Sequence, residues 1–158
     1  MFGESNVSFS PGLGIGTHNM FNSSFVRTPT SELTYFEYIP DSISYKKTKL
    51  NVTYLDIPIE LRYKSKGEFR IAVGFKFGFL IHSKTKYKGN DYIEDNDDLV
   101  IYKKIKIRNL EKNRYGFIGR IGYKWLNIYG YYQLSTLFVK DKGPEMYPIS
   151  IGITIIPF

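Results

Sequence analysis

The sequence predicts an all-β fold: an antiparallel up-and-down transmembrane β-barrel, with about six long strands present of an expected eight. Three observations predict it. Phe69, Ile71, Val73, Phe75, Phe77, Phe79 and Ile81 take every second position of one stretch, while Arg70, Ala72, Gly74, Lys76, Gly78, Leu80 and His82 stand between them. A strand points successive side chains to opposite faces, so one face here is hydrocarbon and the other carries charge and glycine. The same period of two recurs in five other segments. The connections divide into short turns and long polar loops, the asymmetry of a barrel with one rim in the periplasm and the other outside.

Taken in order, the first strand (about 5–20) sets Val7, Phe9, Pro11, Leu13 and Ile15 against Ser8, Ser10, Gly12, Gly14 and Gly16. A polar segment, 22–53, holds Pro29, Pro40, Asp41 and Ser42 and overlaps the start of the second strand (46–65), where Leu55, Ile57, Ile59, Leu61 and Tyr63 alternate with Asp56, Pro58, Glu60, Arg62 and Lys64. Ser65, Lys66 and Gly67 predict a tight hairpin turn into the third strand, 67–87. After the acidic loop 88–98, the stretch 99–124 is too long for a crossing of roughly 9–11 residues. Its first half, with Lys103, Lys104, Lys106 and Arg108, is expected to stand above the bilayer, and Asn109, Glu111 and Asn113 mark the limit. A minimal turn near 124–127 leads to 126–140, with Leu126, Ile128, Tyr132, Leu134 and Phe138 on the oily side. The last strand, 146–158, carries Tyr147, Ile149, Ile151, Ile153 and Ile155.

Composition narrows the functional classes. A chain of 158 residues is read as one domain, 1–158. Cys 0 removes thiol nucleophiles and Cys-ligand zinc sites together. No run of eighteen apolar residues exists, so a spanning helix is excluded. Phe2, Gly3, Glu4, Ser5 and Asn6 form neither a basic n-region nor an apolar h-region. Bacterial barrels of this kind begin at eight strands, and open edges in hydrocarbon cost several kcal/mol per unmet backbone group. The expectation is therefore that two strands and an export signal lie upstream of this sequence; extra strands from 22–53, or closure in water, are the competing explanations.

The stretches LNVTYLDIPIELRYKS, FRIAVGFKFGFLIHSKTKYKG, RYGFIGRIGYKWLNIYGYYQLSTLF and GPEMYPISIGITIIPF resemble the PorT-like outer-membrane β-barrel family of Gram-negative bacteria. The likeness runs from Leu50 onward, with Ser5 to Gly16 fitting an earlier strand; its most specific elements are Tyr54 to Pro58, the glycine-rich strand after them, and the terminal Phe158. It implies location and architecture only, an outer-membrane barrel of around eight strands behind a cleaved signal peptide; the member that names the family serves a secretion apparatus. The terminal Phe158 resembles the signal by which barrel-assembly machinery receives its client.

The candidate site is a luminal charge network. Asp56, Glu60, Arg62, Arg70, Lys76, His82 and Arg120 all fall on the polar side of their strands and would converge inside a narrow barrel. Such an interior is just wide enough for side chains, and buried charges must be paired, so Asp56 and Glu60 are expected to pair with Arg70 and Lys76. Asp56 and Glu60 sit roughly 13 Å apart by strand rise, too far for a carboxylate acid–base pair, and no catalysis is expected. His18 and His82 lack metal-ligand spacing, and Asp91, Glu94, Asp95, Asp97 and Asp98 lack the order of a calcium loop, so no metal or cofactor is expected. Ser135 and Ser150 have no base in a recognisable motif.

A formal net charge of +7 admits nucleic acid, but the continuous oily faces are not the few stacking platforms that single-strand binding needs, and no nucleic-acid partner is expected. Lys46, Lys47, Lys49, Lys103, Lys104 and Lys106 would instead face anionic lipopolysaccharide. Outer-membrane lipid, the barrel-assembly machinery and secretion-system or other envelope proteins are the expected partners. The leading reading is a barrel with a structural, assembly or secretion-accessory role. A narrow anion-attracting channel or small-molecule transporter and a soluble lipocalin-like binding barrel are the alternatives.

Overall fold

The computed structural model of the chain describes residues 6–21, 23–27, 33–91 and 96–155. These form ten strands: β1 (Val7–Pro11), β2 (Gly14–Phe21), β3 (Ser24–Arg27), β4 (Tyr35–Tyr38), β5 (Tyr45–Lys64), β6 (Phe69–Asp91), β7 (Asn96–Ile105), β8 (Asn113–Tyr123), β9 (Leu126–Gln133) and β10 (Ile149–Ile155). Eight belong to one antiparallel sheet ordered β1-β5-β6-β8-β9-β10, with β2 continuing beside β5 and β7 beside the far end of β6. The chain thus makes a meander of six staves. Among the described residues no backbone ladder joins β10 to β1 or β2, and the sheet is not closed.

Pairing register turns the sequence alternation into rings. Val7, Tyr63, Ile71, Ile121, Ile128 and Ile153 stand side by side across six strands, and Pro11, Ile59, Phe75, Phe117, Tyr132 and Ile149 form a second ring on the same face. Most large apolar side chains of this face are uncovered, up to 81% exposed at Ile151, while Leu55, Ile57 and Phe75 are half-buried. Along β6 the apolar positions run from Phe69 to Phe79, roughly 33 Å of strand and about 25 Å of height at the usual tilt, the thickness of a barrel's lipid-facing band. Burial belongs to the opposite face, where Asp56, Glu60, Lys76 and Arg114 lie. A soluble ligand-binding barrel requires the reverse assignment.

Several predicted boundaries move, each for a local reason. The first strand breaks at Gly12–Leu13, where the Gly12 amide still reaches the Pro58 carbonyl at 2.9 Å. The stretch 99–124 divides into β7 and β8 because Lys106 and Asn109 turn left-handed (φ 57° and 61°), which tucks Ile107 and Leu110 inward. The stretch 126–140 ends as strand at Gln133, and Phe138, predicted to face lipid, is 1% exposed in the interior, where Leu110 and Phe138 bridge. Among the described residues, segment 22–53 adds no stave beyond the start of β5. It folds β3 onto β4 as a separate hairpin whose Val26 and Phe36 meet Leu50, Val52, Tyr54, Ile107, Leu110, Leu137 and Phe138 in an apolar core at the long-loop end. The short turns are as predicted in place: Ser65–Glu68 closes with Ser65 and Phe69 bonded at 2.8 Å, and Lys124–Trp125 joins β8 to β9.

A register shift between Thr53 and Tyr54 leaves Ile81 without a partner, and β6 exchanges faces there. Before the bulge its even-numbered residues point inward; beyond it Ser83, Thr85 and Tyr87 are buried while Lys84, Lys86 and Lys88 turn outward.

Candidate functional site

The interior is stratified, and its middle layer is built around Arg114. Register places Asp56, Gly78 and Arg114 in one row of β5, β6 and β8. With no side chain on Gly78, the Arg114 guanidinium crosses the strand between and donates to Asp56 from Nε (3.1 Å to Oδ1) and Nη2 (2.8 Å to Oδ1, 2.6 Å to Oδ2). A Cβ at Gly16 or at Gly78 would collide with this pair, so both glycines form its hollow. Lys76 Nζ lies 3.5 Å from Asp56 Oδ2 and 3.6 Å over the Tyr131 ring, and the guanidinium stacks 4.0 Å over Tyr54. The contact is bidentate, charge-assisted and buried, with Nη1 of Arg114 left without a partner.

A second layer lies toward the short turns. Glu60, 1% exposed, accepts from Arg62 Nε at 2.8 Å and from Arg120 Nη2 at 2.7 Å. Both carboxylates therefore spend their lone pairs on guanidinium groups, an arrangement suited to filling space rather than moving protons.

The predicted network is thus partly assembled. Asp56 meets Lys76, and Glu60 meets Arg62 and Arg120, not Arg70. Arg70 has no carboxylate partner among the described residues, and its buried Nε lacks a hydrogen bond. His82 is corrected outright: the bulge leaves it exposed, apart from both layers. Arg114, the main partner of Asp56, was absent from the prediction although its alternation with Gly116 and Arg120 put it on the polar face. Phe158, Glu94 and Asp95 lie outside the described residues; Asp91 accepts from the Tyr102 hydroxyl at 2.9 Å. Among the described residues no three metal-ligating side chains gather.

A slot of about 740 Å³ separates β2 from β10, lined by Thr17, His18, Asn19, Lys76, Arg114 and Ser150. His18 Nδ1 and Ser150 Oγ approach to 3.5 Å across it. Beyond the lipid band, Lys49, Lys86 and Lys103 are direct cross-strand neighbours on the outer face of β5, β6 and β7. Burial, with Lys47, Lys84 and Lys86 nearby, holds the Lys49 ammonium below its ordinary pKa.

An antiparallel sheet with a lipid-height apolar outside and an ion-paired inside defines an integral membrane protein that crosses by strands. The chain belongs to the outer membrane protein β-barrel domain family, whose model matches residues 2–138. That membership implies the outer membrane of a Gram-negative bacterium. No curated protein and no solved structure matches the chain.

Proposed function

We propose that the protein is a non-conducting outer-membrane barrel that catalyses no reaction and serves a structural, assembly or secretion-accessory role through its rims. One observation carries this reading: the inward face is taken up by an apolar core at the long-loop end and by two ion-paired layers below it. Inward side chains committed to packing and ion pairs leave the surfaces to do the work. The PorT-like resemblance of the strands favours a place beside a secretion apparatus among the possible envelope roles.

The lysine row supports lipopolysaccharide as the outer partner. Like charges directly opposite one another on a sheet repel, so Lys49, Lys86 and Lys103 are stabilised when an anionic surface covers them. Replacing all three by Gln is expected to weaken binding to lipopolysaccharide micelles about tenfold at low salt, with the difference shrinking as salt screens it. Equal binding of the variant and the parent would remove the partner.

The function itself is tested by fractionation and conductance. The full chain is expected to remain with the outer membrane after carbonate washing and to give no steps in planar bilayers. A second reading, a narrow anion pathway, draws on the basic character of the short-turn end; anion-selective steps would establish it and overturn the first.

A further inference from the structure

Below Glu60, at the short-turn end, the interior opens into a small pocket of about 220 Å³ that shares Arg62 and Arg120 with the Glu60 layer. Arg62, Lys64, Arg70, Arg120, Ser8 and Asn127 line it. Register explains their convergence. Ser8, Arg62, Ala72 and Arg120 form one inward row, and Lys64, Arg70, Gly122 and Asn127 form the next; the small Ala72 lines the space between, and the Asn127 amide lies over Gly122.

Three buried donors at this pocket have no acceptor: Nε of Arg70, Nε of Arg120 and the side-chain nitrogen of Asn127, the last on a residue 1% exposed. An unmet buried donor costs about 1–3 kcal/mol, more when charged, so three at one place call for a common acceptor. Among the described residues no carboxylate lines the pocket. Glu60 already takes Arg62 and Arg120 from the layer above, and four cations against that one carboxylate leave an excess of three positive charges. A single carboxylate ligand would neutralise one of them. A phosphate group brings up to two charges and several acceptor oxygens, the complement that clustered arginines fit best.

We propose that this pocket binds a phosphate group, held by Arg70, Arg120 and Asn127 with Arg62 and Lys64 at its entrance. Its place beside the turns Ser65–Glu68 and Lys124–Trp125 sets it at the periplasmic rim, where two sources are within reach. One is the phosphodiester of a phospholipid in the inner leaflet; the other is free phosphate or a small phosphate ester.

The experiment uses the full chain refolded in dodecyl maltoside micelles, with native strand content checked by far-UV circular dichroism. Inorganic phosphate is expected to raise the thermal midpoint saturably, and chloride at matched ionic strength is not. Arg70→Gln, which breaks no ion pair of the fold, is expected to weaken the apparent phosphate affinity about tenfold or more, the loss of one charge-assisted hydrogen bond. Arg120→Gln gives a second variant with the same expectation, and Lys112→Gln, exposed at the opposite end of β8 from the pocket, is the control that titrates like the parent. Equal responses to phosphate and chloride, or parental affinity in both arginine variants, would overturn the site. Repeating the titration in phosphatidylglycerol bicelles separates the sources. Loss of the response to inorganic phosphate there means the lipid phosphate already occupies the pocket, and its persistence means a free phosphate ligand; both uphold phosphate as the group bound.

Discussion

Arg114 reaches Asp56 because nothing stands between them. Gly78 interrupts the row, Gly16 backs it, and the guanidinium lies flat against Tyr54 while three hydrogen bonds fix it. Removing one member of a buried pair strands the other, so Asp56→Ala is expected to cost about 3–5 kcal/mol in detergent-solubilised unfolding. Gly78→Ala should cost a comparable amount although it removes no contact, since the added methyl must push the pair apart. A loss below about 1 kcal/mol in both variants would mean that the pair does not organise the interior. The polar face was legible in the sequence, and with it Asp56, Glu60, Lys76 and Arg120. The pairing was not, because deciding that Asp56 meets Arg114 needs the register of three strands, which alternation leaves free by any even shift. A titration belongs to the same scale. Tyr38, on the β3–β4 hairpin, donates its hydroxyl to Asp41, which raises its pKa above the ordinary 10.0. A raised folded-state pKa contributes stability that is present below pH 10 and is lost as pH rises through the folded value. The absorbance difference between parent and Tyr38→Phe at 295 nm should therefore appear above pH 10, and Asp41→Asn should move it down; a transition at the ordinary value would sink the contact.

At the scale of elements, β6 shows what periodicity can and cannot specify. Its alternation from Phe69 to Ile81 fixes a lipid face and a luminal face, and the strand follows it to the letter up to the bulge. Past Ile81 the sequence still alternates, and the same phase carried on would put Lys84, Lys86 and Lys88 inside with His82. One unpaired residue reverses that, and puts Ser83, Thr85 and Tyr87 inside instead. The physical hint was volume and charge: three successive inward lysines have no carboxylates to meet in a lumen this narrow. Deleting Ile81 should join the two phases without a bulge and leave Ser83 inward and the lysines outward, so the variant is expected to refold, and failure to refold would show that the bulge itself is required. The turns are simpler. Glu68 holds φ 63° and Lys124 φ 52°, conformations that cost a side chain about 1 kcal/mol. Glu68→Gly should stabilise by up to roughly that amount in urea unfolding, and a loss of stability would show that Glu68 contributes through its side chain.

For the whole molecule the open seam is the governing fact. Staves alternate in direction, so six of them leave β2 and β10 antiparallel to each other across the slot, touching through His18 and Ser150. Direct pairing of these edges, or insertion of a whole hairpin, preserves the alternation; a single added strand would run parallel to one edge. Alternation alone reads six staves, and six stand side by side among the described residues, whereas the width of the gap depends on how far the sheet curls, which side-chain period does not encode. Hydrocarbon does not tolerate unpaired backbone edges, so the seam needs a partner in the bilayer. Native-state amide exchange of the 158-residue chain in micelles measures this directly. Amides of β5, β6 and β8, paired on both sides, should exchange slowest, and the edge-facing amides of β2 and β10 should exchange orders of magnitude faster. Protection of β10 equal to that of β6 would mean that the chain closes on itself, with His18 and Ser150 marking where the two edges zip.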